Sequence, residues 1–253
     1  MLAAVGGFQA DAAEPGRCQA AIVGIATVQA VLDGRTLRLS DGREVRLIGI
    51  EVPDRPGDAA QAAKAALAAL TEGRQVALGR LGEATDRHGR LLALVFLTPT
   101  ATEVSVQRAL VAEGHARVAA RVGDRACALP LLDAERAARA AGLGLWADPH
   151  YVIKQVGNPG EILAGRGTFT VVEGRVLSVR ESGATIYINF GRRWSEDFTV
   201  TLPKRNERIF AAAGLALKDL AGRRVRVRGF VEERGGPWIE AARPEQFEIA
   251  ERD

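Results

Sequence analysis

The sequence predicts a β-rich α+β protein made of two small β-barrel domains. Three observations support this prediction. Each half of the chain contains about five short strand-like segments bounded by turn residues, each half places a helical segment after its third strand, and a polar stretch with Gly and Pro separates the halves. At 253 residues the chain is longer than the usual single domain, so each half has room for its own core.

The first half begins with three strand-like segments between Ala20 and about Val52: AIVGIATVQAVL, TLRLS and EVRLIGI. They are separated by Asp33-Gly34 and Asp41-Gly42, and Asp-Gly pairs between apolar segments are typical of hairpin turns. We therefore expect a three-stranded meander, in which Asp33 and Asp41 shape the turns through side-chain hydrogen bonds.

Helices and two more strands complete the first half. The Ala-rich segment GDAAQAAKAALAAL predicts a helix that follows Pro56-Gly57 and ends at Gly73. QVALGRL and LLALVFL predict strands on either side of the polar loop GEATDRHGR, and EVSVQRALVAEG predicts a short helix that ends at Gly114. ALPLLDAERAARAAGLGLW predicts a last helix that stops at Gly142, with a solvated charged face. Five strands and about three helices in this order predict a five-stranded OB-type Greek-key barrel over residues 20–148.

The second half predicts a smaller OB-like barrel over residues 167–250. Residues 149–166 are polar and lack sustained periodicity, so they are expected to form a linker. The candidate strands that follow are TFTVVEGRVLSVRES, TIYINF, FTVTL, RRVRVRGFV and PWIEAARPEQFEI, with a short helix near NERIFAAAG after the third.

The composition is that of an ordinary globular protein, with 47% hydrophobic and 26% charged residues. There is no apolar run long enough to predict a transmembrane helix. The net charge of +3 is mildly basic, which permits nucleic-acid binding without requiring it.

The first 19 residues predict either a leader or the remainder of a secretory signal. The stretch is apolar and small, and Ala-Asp-Ala-Ala before Glu14 resembles a signal-peptidase site, but a basic region is missing. The protein is therefore expected in the periplasm or outside the cell, with a cytoplasmic location as the alternative. The chain has two cysteines, Cys18 and Cys127, which could pair after export and would remain thiols in the cytosol.

Five motifs in order resemble the thermonuclease family, the staphylococcal-nuclease-like domains, over about Ala20 to Asp148. They are VLDGRTLRL, RLIGIEVPD, DRHGR, the helix end ALVAEG, and AERAARAAGLGLW. Each motif alone is weakly specific, and their combination is what identifies the resemblance.

The resemblance implies hydrolysis of phosphodiester bonds in DNA or RNA with one calcium ion and two arginines. By position, Arg46 and Arg90 match the arginine pair and Asp54 matches the carboxylate that activates water. Glu51 and the backbone carbonyl of Val52 match metal ligands. Guanidinium groups and a hard cation suit this reaction because negative charge develops on the phosphate oxygens in the transition state.

One residue departs from the family in a way that affects the metal. The family has Asp-Gly-Asp-Thr where this chain has Asp33-Gly34-Arg35-Thr36, so a cation replaces a calcium ligand. Calcium binds through six to eight oxygens, and a positive side chain both removes a ligand and repels the ion. We expect Arg35 to lie in the cation position and to pair with Glu51, Asp54 or both, which makes the implied calcium cofactor doubtful.

The substrate-binding residues are less well defined. Arg87 and His88 of the loop could contact a phosphate, whereas HARVAARV lacks the tyrosines on which the family stacks a nucleotide. In the second half, Arg192, Arg193, Arg226 and Arg228 stand beside Trp194 and Phe230, a pattern found in single-strand binders and also on the solvent side of ordinary strands. Docking on the first barrel or on another protein is the preferred interpretation of that half.

The sequence therefore leads to three hypotheses. The first is a thermonuclease-like protein that engages nucleic acid or phosphodiester ligands with calcium-dependent hydrolysis weakened or lost, a pseudoenzyme. The second is an active nuclease on DNA or RNA, in which a metal is still held or Arg35 replaces its charge. The third is an envelope structural or protein-interaction module.

Overall fold

A computed structural model describes residues 18, 20–53, 55–98, 104–193 and 195–250. Of the predicted leader, residues 1–19, the structure describes residue 18 alone. Asp54 and Trp194 also lie outside the described residues. Within the described residues, no helix has the length and apolar character needed to cross a membrane.

The described residues of the first half form eight strands and three helices. The strands are β1 (Ala21–Asp33), β2 (Thr36–Leu39), β3 (Glu44–Leu47), β4 (Ile50–Glu51), β5 (Gln75–Arg80), β6 (Leu91–Leu97), β7 (Val104–Ser105) and β8 (Arg117–Val118). The helices are α1 (Asp58–Thr71), α2 (Val106–Ala112) and α3 (Arg125–Ala140), followed by a 3₁₀ turn over Gly144–Ala147.

Five of these strands close into a barrel. The sheet order is β3-β2-β1-β5-β6-β7. β3 also pairs with β6 in parallel, which closes β3, β2, β1, β5 and β6 into a barrel and leaves β7 as an extension of β6. Alternate strand residues such as Val28, Leu37 and Val45 are fully buried inside, where they pack with Leu67 of α1 and Leu110 of α2. The predicted five-stranded OB-type barrel is confirmed.

The second half, as far as the structure describes it, forms nine strands. They are β9 (Lys154–Gln155), β10 (Phe169–Arg175), β11 (Ser178–Ser182), β12 (Thr185–Asn189), β13 (Thr199–Pro203), β14 (Arg224–Phe230), β15 (Glu232–Arg234), β16 (Gly236–Glu240) and β17 (Phe247–Ile249). The helices are α4 (Pro159–Leu163) and α5 (Glu207–Ala212), with 3₁₀ turns over Lys204–Asn206, Leu217–Leu220 and Pro244–Gln246.

These strands form two sheets that share two long, interrupted strands. One sheet has the order β17-β14-β10-β9 and the other β11-β12-β13-β16-β15. The chain passes from β10 into β11 and from β14 into β15, so both sheets surround one core that includes Ile186, Phe198 and Val227. The pairing of β13 with β16 is parallel and that of β10 with β14 is antiparallel. Helix α5 follows β13, which is the third long strand when β10 and β11 are counted as one interrupted strand and the short β9 is left out. This is the order expected for an OB-like barrel.

The segment 149–166 differs from the linker that the sequence predicts. It contains β9, which pairs in parallel with β10, and α4, whose Ile162 is fully buried in the second core. The segment is too short for a sustained periodic pattern, and its buried side chains, Tyr151 and Ile162, anchor it. The domain boundaries themselves stay predictions.

A buried network of charges joins the two barrels. Arg228 of β14 is 1% exposed; it donates to Glu135 Oε2 of α3 at 2.7 Å and to Val118 O of β8 at 3.1 Å, and it also binds Glu248. Glu135 is 0% exposed and accepts a further bond from Val118 N. The prediction of a solvated charged face on α3 holds for Asp133 and Arg136, which are exposed. It is wrong for Glu135 and Arg139, which the second barrel covers.

The other arginines that the sequence singled out in the second half are mostly paired. Arg226 binds Glu173 at 2.5 Å and Arg193 binds Glu196 at 2.9 Å. Arg228 lies in the interface between the barrels, so it is not available to a nucleic acid. Arg228 is the most buried of these arginines, and its burial is explained by the packing of the second half against the first.

Cys18 and Cys127 form a disulfide that links the start of the first barrel to α3. The two residues are 109 positions apart. The bond therefore closes a loop that includes the whole first barrel.

We expect the double substitution Cys18→Ser, Cys127→Ser to lower the free energy of unfolding by about 4 kcal/mol, the chain-entropy value for a loop of this length. Denaturant unfolding of the oxidised protein and of the double variant measures the difference. Equal stabilities, or free thiols found by mass spectrometry of the non-reduced protein, would contradict this expectation.

Candidate functional site

The turn between β1 and β2 positions the first site residue, Arg35. Asp33 holds the turn: its Oδ1 accepts from Arg35 N at 2.8 Å and its Oδ2 accepts from Thr36 Oγ1 at 2.9 Å. Gly34 lies so close to α1 that a Cβ there would approach Ala63 Cβ to 3.0 Å. Both carboxylate oxygens of Asp33 are thus engaged within the turn, as the Asp-Gly pattern predicts.

Arg35 extends from this turn onto the next strand segment. Its Nη1 lies 2.5 Å from Glu51 Oε2 and 3.3 Å from Ile50 O, which accepts a hydrogen bond. Both side chains of the pair are mostly buried, with 23% and 18% exposure. The pairing of Arg35 with Glu51 that the sequence predicts is present, whereas pairing with Asp54 lies outside the described residues.

Arg46 of β3 has no carboxylate partner among the described residues. Its strand position faces Thr36 of β2 in the register of the sheet, and its side chain is half-buried. No hydrogen bond or ion pair joins it to another residue in the part of the chain that the structure describes. Burial, followed by the positive charges of Arg35 and Arg90, lowers the pKa of Arg46. An arginine in such a position attracts an anion.

Arg90 is held by a residue that the sequence analysis did not single out. Asp86 Oδ2 accepts from Arg90 Nε at 2.8 Å and lies 2.7 Å from Nη2. Burial acts to raise the pKa of Asp86, but hydrogen bonds from the Arg90 side chain and from the backbone N–H groups of His88 and Arg90 hold this pKa at about 2. The Asp-x-x-Gly spacing of a tight turn with Arg four residues after Asp is the signal that could have identified this pair.

Arg87 and His88 contact each other on the exposed side of the same loop, with Arg87 Nε 3.1 Å from His88 Nε2. Both remain accessible. The loop thus directs Arg90 toward Arg46 while Arg87 and His88 face solvent.

A pocket of about 360 Å³ lies between the turn and the start of α1. Arg35, Arg46, Lys64, Asp33 and Val52 line it, together with the first residues of α1. Gly57 precedes α1 and provides no side-chain cap, so the free N–H groups of the first turn add to the attraction for an anion. The pocket brings together Arg35, Arg46 and Val52, whereas Glu51, Arg87, His88 and Arg90 are not in its wall.

The described residues of this site offer a calcium ion no free carboxylate. Glu51 is neutralised by Arg35, and the carboxylate of Asp33 is engaged by its own turn. Among the described residues there is no group of three or more acidic, His or Cys side chains able to hold a metal. The affinity of a site for calcium rises with the number of its carboxylate ligands. Here the guanidinium of Arg35 is bound to the carboxylate of Glu51.

Comparison with known proteins identifies the first barrel. The model of the family described as staphylococcal nuclease homologue matches residues 44–148. A protein of Escherichia coli named Protein ParB is 32% identical over 130 residues, which cover 48% of this chain and 72% of that relative. The family model's match spans Arg46, Glu51, Arg90 and the helix α3. Because the chain is also 32% identical to this relative and covers 72% of it, the chain belongs to the staphylococcal nuclease homologue family.

Proposed function

We propose that the first barrel binds nucleic acid or another phosphodiester ligand through Arg46, supported by Arg35 and Lys64, and that its calcium-dependent hydrolysis is weakened or lost. The observation that carries this proposal is the ion pair of Arg35 with Glu51 at 2.5 Å. Proteins of this family bind nucleic acids and generally depend on calcium. In this chain a guanidinium lies where the family places a metal ligand.

The ion pairs of Arg35 and Arg90 should weaken stabilisation of the hydrolytic transition state more than binding of the phosphate. A phosphate ground state needs only positive charge and hydrogen-bond donors, which Arg46 supplies because it has no carboxylate partner among the described residues. Hydrolysis also needs charge placed against the oxygens that become more negative as water attacks. Arg35 is bound to Glu51 and Arg90 to Asp86, so two of the three cations are already partly neutralised.

An active nuclease is the second candidate, and the observation that favours it is that Arg46 has no ion pair within the described part of the chain. In that case the guanidinium of Arg35 would replace the charge of the metal and cleavage would persist in EDTA. The choice of substrate between DNA and RNA is not part of the proposal.

We also propose that the protein is exported to the periplasm or beyond. The Cys18–Cys127 disulfide supports this location, because disulfides persist mainly in oxidising compartments. The candidate signal lies outside the described residues.

The binding proposal predicts that Arg46→Ala, made in a chain that also carries Tyr187→Ala to remove an exposed aromatic side chain of the second half, weakens binding of a fluorescein-labelled single-stranded DNA about 10- to 150-fold. The reason is the loss of one charged hydrogen-bonding contact, worth about 1.5–3 kcal/mol. Fluorescence anisotropy in EDTA at low salt measures the dissociation constant without cleavage.

Arg38→Ala is the matched control for this experiment. Arg38 lies on β2 next to the site, is exposed and pairs with Glu44 outside the pocket, so its loss should change affinity less than threefold, as expected for about 0.5 kcal/mol. If the two variants weaken binding equally, the pocket is not the binding site.

A further inference from the structure

A second, larger pocket lies on the outside of the second barrel. It occupies about 930 Å³ over the outer face of β12, β13 and β16. It is separated from the Arg46 pocket, because no residue lines both. Its wall combines aromatic, hydroxyl and basic side chains.

The strand register places these side chains in two rows. Asn189, Thr199 and Trp238 are neighbours across the three strands in one row, and Tyr187, Thr201 and Glu240 are neighbours in the other. The residues between them on β12 and β13, such as Ile188 and Val200, point into the core and are fully buried. The rows therefore form a continuous outward face.

Two features of this face provide surfaces for a flat ring. Tyr187 is 37% exposed although it is aromatic. Arg234 lies over Trp238, with the guanidinium carbon 3.3 Å from the ring centroid, so its opposite side can stack on a second planar group. Planar surfaces on an exposed sheet are what unstacked bases require.

One polar atom in the wall of the pocket has no partner among the described residues. Thr199 is 8% exposed, and its hydroxyl makes no hydrogen bond there. A buried hydroxyl without a partner costs free energy. A ligand or a bridging water in the pocket would remove that cost.

The charge around the face is positive. Lys204, Arg205 and Arg234 line the pocket against one carboxylate, Glu240. Lys204 already pairs with Glu181 at 2.6 Å and Arg234 with Glu232 at 3.6 Å, so Arg205 is the cation of this wall that has no ion pair within the described residues. A second cavity continues from it past Tyr187 and Asn189, and this one adds Arg180 and Arg192 against Glu181. Five basic and two acidic residues leave a net charge of three positive along the combined groove.

We propose that this face of the second barrel binds single-stranded nucleic acid. Bases stack on Tyr187 and on the Arg234–Trp238 pair, while Arg205 and Arg192 contact phosphates. The positive groove favours a polyanion over a neutral saccharide, which would gain nothing from it. The inference does not depend on the proposed function of the first barrel, because none of these residues belongs to that barrel.

The test uses the full chain with Arg46→Ala, so that the first pocket is disabled, and a labelled oligothymidylate of about 12 nucleotides, within the site size of one OB barrel. We expect Tyr187→Ala to weaken binding roughly 5- to 150-fold, which corresponds to the ~1–3 kcal/mol of one stacked base. Tyr187→Phe keeps the ring and should bind like its parent. A parallel titration with oligouridylate distinguishes a preference for DNA from one for RNA.

Phe230→Ala is the control for loss of an exposed aromatic, because Phe230 is 52% exposed and lies outside both cavities. Thermal unfolding confirms that each variant is folded. The proposal is overturned if Tyr187→Ala and Phe230→Ala bind with equal affinity, or if the Arg46→Ala chain binds a neutral oligosaccharide and no oligonucleotide at low salt.

Discussion

Replacing Arg228 with Ala is expected to lower the free energy of unfolding by about 3–5 kcal/mol, because the change leaves buried carboxylates without a cation. Arg228 binds Glu135, Glu248 and the backbone oxygen of Val118 in the interface between the barrels. Arg139 would still lie 3.7 Å from Glu135 and 3.5 Å from Glu248, but it does not replace the short hydrogen bonds that Arg228 makes to both. Urea unfolding at neutral pH measures the loss.

The same substitution should make stability depend on pH in a specific direction. Burial acts to raise the pKa of Glu248, but the charges of Arg228, Arg139 and Arg226 outweigh it and hold this pKa below its usual value. Without Arg228 the folded-state pKa of Glu248 should rise, so the stability that the ionised carboxylate gives wild type above the unfolded pKa is reduced or lost. The difference from wild type should therefore be larger at pH 7 than near pH 4.

Arg224→Ala provides the matched control for Arg228→Ala. Arg224 lies on the same strand, but its side chain is 54% exposed, and its partner Glu173 keeps Arg226. Its loss should cost at most about 1 kcal/mol. If Arg228→Ala costs no more than Arg224→Ala, the buried network does not hold the barrels together.

The second large effect is expected from Arg35→Asp, which restores the carboxylate that the family has at this position. Without calcium the variant should be less stable than wild type by about 1–3 kcal/mol, because Glu51 loses its partner and gains an acidic neighbour. With calcium at about 100 times its dissociation constant, binding should return about 2.7 kcal/mol. Calorimetric titration and thermal unfolding with and without calcium measure both terms.

Arg35→Ala separates the two causes. It removes the cation without adding a ligand, so it should be destabilised and should respond to calcium less than Arg35→Asp. Wild type should show no saturable heat of calcium binding. A calcium response of Arg35→Asp no greater than that of wild type would mean that the remaining oxygens cannot form the site.

The first barrel was predictable because its signals are local. The Asp-Gly pairs mark the hairpin turns, alternating apolar residues mark the strands, and the pairing of Arg35 with Glu51 follows from one charge change inside a known motif. The position of Arg46 follows from the same motif. The motif does not predict that Arg46 lacks a partner among the described residues. That property depends on which carboxylates other strands bring near Arg46.

The interface between the barrels was not predictable from the same signals. The charged residues of α3 have the spacing of a solvated face, and only the packing of β14 and β17 against them shows that Glu135 is buried. Arg228 likewise alternates with valines as a solvent-facing residue would. The burial of Ile162 depends on contacts with strands distant in sequence, which a short segment without periodicity does not reveal.

The most direct test of the central claim is cleavage of single-stranded DNA by the wild-type protein, measured in parallel with calcium and with EDTA. With Arg35 paired to Glu51, we expect the rate with calcium to be no higher than the rate in EDTA. Robust cleavage that appears with calcium and disappears in EDTA would contradict the claim that Arg35 has replaced the metal.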